Sequence, residues 1–393
     1  MAFIWDFIKG ITKTMVNVHS TGAFDVEVWG EAEPRALSDY RTDEVKPATT
    51  IPRPMFDKSD DFSEGTAQVR RDKQGGYIDW NESMTIASRF REAAEQGEAT
   101  ARYNLGICFM RGEGVPKDSK QGMYWWLKAA EQGDADAQFG VGLCYDDGDA
   151  VPKDAARAAY WWRKAAEQGH AEAQYDIGCC CENGDGAPKD LAQAAYWYRQ
   201  SAEQGHARAT YNLARFFRLG IGVTADMTQA AILFSQAAGQ GDVLAQYALG
   251  LCYDNGDGVL KQTRQAIYWY SKAASQGYAK SQFALGTCYE HGNGVSKETT
   301  QAAYWYRKAA EQGHANAQHN LGNFYERGIG VPKDTAKAAY WYLKAAEQGI
   351  AKAQWNISVL YENGDGVVKD KKQADYWTLR AVEQGYEPIL KKK

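Results

Sequence analysis

A Gln-Gly pair recurs along this chain with its glycine at Gly97, Gly133, Gly169, Gly205, Gly241, Gly277, Gly313, Gly349 and Gly385, a period of 36 residues that never slips. A fixed period in the range of roughly 20–50 residues is the signature of a solenoid, because each repeat is one supersecondary unit that cannot bury its apolar side alone and must stack on its neighbours. Eight complete units occupy residues 98–385. They displace the two or three globular domains that 393 residues would otherwise suggest at roughly 150 residues each.

The unit at 134–169 shows the local logic. Ala135, Ala137, Phe139, Val141, Leu143 and Tyr145 lie in a small and apolar run that stops at Gly148, which predicts a first helix. Pro152-Lys153-Asp154 predicts a loop ending in an N-cap, since an aspartate accepts hydrogen bonds from the free amides of a helix's first turn. A second helix follows, and Gly169 fits the left-handed residue just past its C-terminus. Gln stands three residues after the capping Asp at Asp118 and Gln121, Asp190 and Gln193, and Asp226 and Gln229, the spacing of a capping box. The expected class is all-α, a superhelical solenoid of 36-residue helix-turn-helix repeats.

Ala-Glu-Gln-Gly-His-Ala-Glu-Ala-Gln-Tyr at 166–175, Glu-Asn-Gly-Asp-Gly-Ala-Pro-Lys-Asp at 182–190 and Ala-Ala-Tyr-Trp-Tyr-Arg at 194–199 together resemble Sel-one-like repeats. These are relatives of the tetratricopeptide repeat with a longer loop inside each hairpin. The resemblance covers about three quarters of the chain. It implies a right-handed solenoid whose first helices line a concave face, and a role as adaptor, assembly factor or inhibitor of another protein rather than as a catalyst.

The eight copies serve as one another's control. Numbering each unit from the residue after Gln-Gly, positions 2 and 4 are almost all Ala, position 8 is Leu, Ile or Val, and position 12 is mostly Tyr, so these are packing sites. Positions 3, 7, 10 and 14 vary, and their spacing puts them on one stripe of the first helix. That stripe is the candidate surface for a protein or extended peptide. Along it lie Asn104, Arg111, Asp136, Asp147, Glu172, Asp176, Arg208, Asn212 and Arg215, then Lys280, His291, Asn316, Asn320, Asn323, Arg327, Lys352 and Asn356. Its first half includes an acidic patch and its second half is basic and amide-rich. The fourth unit departs from the pattern, with Ile232-Leu233-Phe234 in place of Tyr-Trp-Tyr, and reads as a repacked junction. Its Arg208 and Arg215 could alternatively grip an acidic group of a partner, since arginine offers a carboxylate two donors.

Motifs that look chemical have plainer readings. Cys179-Cys180-Cys181 cannot close on one metal, because adjacent helical residues point about 100° apart. Cys108, Cys144, Cys180, Cys252 and Cys288 all occupy position 11 and read as small core residues, while Cys179 falls on the variable stripe and is the one thiol whose exposure is open. Some family members outside the cytoplasm pair cysteines within each repeat. This chain lacks that pattern, which leads to a cytoplasmic expectation. His170, His206 and His314 share position 1 beside the capping glycine and read as structural, and neither His291 nor His319 has a ligand-spaced partner. The Tyr-Trp pairs at 124–125, 160–161, 196–197, 268–269, 304–305, 340–341 and 376–377 are expected in the core by their repetition. No phosphate loop, zinc motif or calcium loop is present, so no catalytic residue, cofactor or metal is expected.

A net charge of −5 gives no basic footprint for nucleic acid. Residues 1–80 form a separate segment with Pro34, Pro47, Pro52 and Pro54, a possible strand at Phe24, Val26 and Val28, and an apolar start, Met1 to Val16, that makes a poor signal peptide. Residues 81–97 are expected to form a degenerate capping half-repeat, and 386–393 a tail. Three functions stay open: a non-enzymatic scaffold or adaptor holding a partner in the groove, an inhibitor or immunity protein neutralising a toxic effector enzyme, and a membrane-associated assembly factor using Met1 to Val16.

Overall fold

The structure is a computed structural model in which residues 69–71 and 77–386 are described. The expectations for Met1 to Val16 and for the strand at Phe24, Val26 and Val28 lie outside the described residues. A short antiparallel hairpin, β1 (Val69–Arg71) and β2 (Tyr77–Asp79), precedes the solenoid and was not legible in the sequence. Seventeen helices follow. The first, α1, runs Trp80–Gln96 and packs against the first helix of the first unit. The first helices of the eight units are α2 (Ala99–Arg111), α4 (Ala135–Asp147), α6 (Ala171–Asn183), α8 (Ala207–Leu219), α10 (Val243–Asn255), α12 (Ala279–His291), α14 (Ala315–Arg327) and α16 (Ala351–Asn363). Their second helices are α3 (Ser119–Glu131), α5 (Ala155–Glu167), α7 (Leu191–Glu203), α9 (Met227–Gly239), α11 (Thr263–Ser275), α13 (Thr299–Glu311), α15 (Thr335–Glu347) and α17 (Lys371–Glu383).

Each helix packs against the one before and after it, so the hairpins stack in sequence order. Punctuation is as the sequence requires. Asp118 accepts from the amides of Lys120 and Gln121 at 3.0 and 3.1 Å, and Asp154, Asp190, Asp226, Asp334 and Asp370 cap their helices in the same way. Gly169 closes α5 with φ +92°, a conformation a side chain would strain.

In the second to seventh units the most deeply buried aromatic is not in the Tyr-Trp pair but is the residue after it, at position 29, while the eighth unit has Thr378 there and buries Trp377 instead. Trp162, Tyr198, Phe234, Tyr270, Tyr306 and Tyr342 are at most 1% exposed. The tyrosines of the pairs are about half exposed, as with Tyr304 at 48%, so the expectation that they are core is overturned. Each instead packs its ring edge-to-face on the following, more buried tryptophan, as Tyr304 does on Trp305 with centroids 5.0 Å apart. Three consecutive aromatics on a helix point about 100° apart, so one face cannot hold them all.

Position 9 of the first helix makes room for the core ring. A Cβ on Gly322 would sit 2.6 Å from Tyr342 Cδ1, and one on Gly178 would sit 2.8 Å from Tyr198 Cδ1. The fourth unit has the smaller ring of Phe234 and accommodates Ala214 at that position, both buried. That is the repacked junction expected from Ile232-Leu233-Phe234, except that Ile232 takes the outward place of the tyrosine and is 47% exposed.

Successive units are tied by glutamines at positions 5 and 35. Gln138 is 4% exposed and donates its Nε2 to the Ala130 carbonyl of the preceding unit at 3.1 Å, while its Oε1 accepts from Gln168 Nε2 at 2.7 Å. The same relay recurs through Gln174, Gln246, Gln282, Gln318 and Gln354. Arg102 and Thr210 occupy position 5 in the two other units, where Arg102 donates to the Ala94 carbonyl at 3.0 Å.

Truncating Tyr306 to Ala should destabilise the chain by roughly 3–5 kcal/mol, as large aromatic deletions in a core do, while Trp305→Ala should cost clearly less because that ring is only half buried. Urea unfolding of the two variants checks this, and equal losses would overturn the core assignment.

Candidate protein-binding face

The stripe at positions 3, 7, 10 and 14 lies along one side of the first helices, but only two of its four positions generally reach solvent. Position 3 supplies exposed Asp136, Lys280 and Lys352, and position 14 supplies exposed Arg111, Asp147, His291 and Arg327. Positions 7 and 10 turn toward the neighbouring unit. Asn104, Asn212, Asn320, Asn323 and Asn356 are half-buried there, and Asp176 is 8% exposed, so Asp176 is not available to a partner. Cys179, also on the stripe, is buried at 7% exposed. Burial pushes its thiol up to about 12, with its Sγ 3.3 Å from the Tyr198 hydroxyl oxygen, which leaves little thiolate for chemistry.

Position 7 faces the core ring of the preceding unit, and this explains its burial. The carboxamides of Asn320 and Asn356 lower the otherwise raised Tyr306 and Tyr342 hydroxyls from the neighbouring unit, and these hydroxyls donate to Glu290 at 2.5 Å and Glu326 at 2.6 Å. Where position 7 is Gly140, the Trp126 ring fills the space a side chain would need. Position 13 is thus an acidic partner to a buried tyrosine in several units. Its role is not visible in the repeat pattern of the first helix, because it depends on the residue at position 29.

The arginines of the fourth unit are already occupied. Arg208 Nε pairs with Asp242 Oδ2 of the next unit at 2.9 Å, and Arg215 pairs with Glu182 of the preceding one, a carboxylate that also accepts from the Tyr198 hydroxyl at 2.7 Å. Burial raises the Asp242 carboxyl, and Arg208 is the largest opposing influence. The two arginines therefore join units, which corrects the expectation that they stand ready for an acidic partner group.

Position 3 acids and position 1 histidines form a second set of joints. His206 stacks on Tyr175 at 4.7 Å, its Nδ1 accepts the Ala209 amide at 3.0 Å, and its Nε2 lies 2.8 Å from Glu172. An Nδ1 that accepts an amide places the ring proton on Nε2, where it is donated to the carboxylate. His170 repeats the arrangement with Phe139 and Asp136, the latter at 3.3 Å. These bonds hold the carboxyls of Glu172 and Asp136 below their usual range.

Other faces carry different features. One open cleft of about 590 Å³ lies on the second-helix side among Arg307, Lys337, Tyr340 and Trp341. No group of three or more His, Cys, Asp or Glu among the described residues is placed to hold a metal ion, and no described helix is long and apolar enough to cross a membrane.

Among known families, the Sel1 repeat matches residues 99–134, 135–170, 171–206, 207–242, 243–278, 279–314, 315–350 and 351–386. The chain is a Sel1 repeat protein. These windows have the same period as the units above and begin one residue later. Of solved structures, a protective antigen of uropathogenic Escherichia coli displaying an SLR fold is 37% identical over 76% of this chain with TM-score 0.71, and the chain spans 64% of that antigen's length. A Sel1 repeat protein from Oxalobacter formigenes is 32% identical over 76% of this chain and 86% of its own, with TM-score 0.60. An immunity protein from Pseudomonas aeruginosa is 21% identical over 63% of this chain and 81% of its own, with TM-score 0.34. No curated protein matches.

Two outcomes are expected. Arg208→Met should cost about 3 kcal/mol in denaturant unfolding, the low end for breaking a buried pair, because it strands Asp242; a loss under 1 kcal/mol would show the pair to be dispensable. Glu172, with its folded value lowered, contributes stability that is complete above its unfolded value near about 4.3 and is lost as pH falls through the folded value. His206→Ala should raise the Glu172 midpoint in a carboxyl NMR titration, and an unmoved midpoint would reject the bond as its cause.

Proposed function

We propose that this Sel1 repeat protein is a non-enzymatic scaffold that holds a protein or extended peptide partner on its first-helix face. One observation carries the reading. On helices whose packing positions are nearly invariant, position 14 stays at the surface in every unit and position 3 in half of them, and both change in charge from unit to unit, through Arg111, Asp136, Asp147, Lys280, His291, Arg327 and Lys352. Binding is geometric in this reading. Stacked hairpins fix the spacing of the side chains, and the variable positions choose the partner. Family membership supports it, since such repeats are generally scaffolds. The reading also takes the chain to act in the cytoplasm, because its cysteines occupy packing positions rather than paired ones.

The test uses the full chain as bait in extract from its native host, beside a variant carrying Asp147→Lys, Lys280→Glu and Lys352→Glu. A stoichiometric partner should be retained by the first and weakened at least roughly tenfold in the second, with the melting temperature within a few degrees. Undiminished capture by the folded variant would move the site off this face.

A further inference from the structure

The open cleft on the second-helix side is lined from α13, the end of α14, the loop after it and α15. Its cations are Arg307, at position 30 of the sixth unit, and Lys333 and Lys337, at positions 20 and 24 of the seventh, all exposed. These three positions recur at each joint between units, but at no other joint are all three cationic. Ser271 and Gln301 interrupt the set at the joint before, and Leu343 and Gln373 at the joint after. Since the other joints form without the triad, packing does not require it. Two of the cations gather on one ring. Tyr325 is 7% exposed, and Arg307 Nη2 donates to its hydroxyl at 3.0 Å while Lys337 Nζ stands over its face, 5.5 Å from the centroid. Asp334 pairs with Lys337 at 2.9 Å and also accepts the Lys337 amide at 3.0 Å as the cap of α15, so it offsets one of the three positive charges. Glu311, the other acid of the lining, is exposed one turn along α13 from Arg307. The remaining lining is apolar, with Val331, Pro332 and Tyr340, which is 53% exposed and sets its ring edge-to-face on Trp341 at 4.9 Å.

We propose that this cleft binds a phosphate monoester carried on an aromatic group, with the phosphate held by Arg307, Lys333 and Lys337 and the ring laid against Tyr340 and Pro332. The site lies away from the first-helix face and does not depend on the binding role given to that face. A dianion matches the two positive charges that Asp334 leaves over, whereas a carboxylate would match only one. Guanidinium suits a phosphate because its fork offers two parallel donors, and each lysine adds a point charge without a fixed direction. The half-exposed ring of Tyr340 offers a second ring an offset or edge-to-face partner. The cleft's volume of about 590 Å³ lies within the range of roughly 300–1,000 Å³ usual for small-molecule sites. Glu311 opposes the anion, so its removal should tighten binding.

Isothermal titration calorimetry on the full chain takes phenyl phosphate as the probe, beside inorganic phosphate, which lacks the ring, and benzoate, which lacks the second charge. Phenyl phosphate should bind at least about tenfold tighter than either. Arg307→Ser with Lys337→Gln, which gives this joint the residues of the one before it, should lower that affinity at least about tenfold with the melting temperature within a few degrees. Tyr340→Ile, the residue the fourth unit carries at that position, should weaken phenyl phosphate and leave inorganic phosphate unchanged, and Glu311→Gln should tighten both. Adenosine monophosphate and phosphotyrosine, titrated in parallel, separate the two sources of such a group, and the tighter of them identifies a nucleotide or a phosphorylated side chain. Inorganic phosphate or benzoate binding as tightly as phenyl phosphate, no binding of any probe, or an affinity unchanged in the folded double variant would overturn the proposal. None of these results bears on capture by the first-helix face.

Discussion

Every second helix ends against the next repeat, and the carbonyls of its last turn have no partner within the helix. Their satisfaction is the constraint on which the stack depends. At Ala130 the carbonyl is met twice, by the Gly133 amide that closes the turn and by the buried Gln138 side chain of the following unit. Gln168 then completes the amide of Gln138 from the far end of its own unit. An amide left half-paired in such a place would cost about 1–3 kcal/mol, and the relay avoids that at six of the joints. It also fixes the helical register at the joints that carry it. An inserted residue would rotate the glutamine by about 100° away from its carbonyl.

Around this frame, side-chain volume is traded between two positions far apart in sequence. Glycine at position 9 accompanies a tryptophan or tyrosine at position 29, and alanine accompanies Phe234. Close-packed interiors make such exchanges compulsory, since an added methyl group has nowhere to go unless the ring opposite shrinks. The fourth unit looked anomalous for this reason and is in fact internally consistent. It lacks the position 5 glutamine, having Thr210 there, and its joints are instead carried by the pairs of Arg208 with Asp242 and Arg215 with Glu182.

Those pairs also show how the face acquires its character. A charge on a first helix can turn inward and bridge units or outward and meet solvent, and the register decides which. Arg215, at position 10, and Glu172, at position 3 beside a histidine, are drawn into joints. Lys352 and Arg327 remain outward. The acidic and basic ends of the stripe therefore differ both in charge and in how much of that charge the protein itself consumes.

The class of fold, the helix boundaries, the caps and the position 11 cysteines were legible in the sequence because they depend on local chemistry repeated eight times. Repetition alone could not tell a buried residue from an exposed one that is conserved for another reason, and so the outward tyrosines such as Tyr304 were read as core. The same ambiguity hid the glutamines of positions 5 and 35. Variation misled in the opposite direction, since Asp176, Cys179 and Arg215 differ between units because their neighbours across the joint differ. What the sequence determined by itself was one hairpin and the fact of its stacking, both set by short-range periodicity. Which side chains face the next repeat and which face water was decided only by tertiary structure, because it depends on contacts between residues roughly 16 to 36 positions apart, as from Glu182 to Tyr198 and from Glu172 to His206.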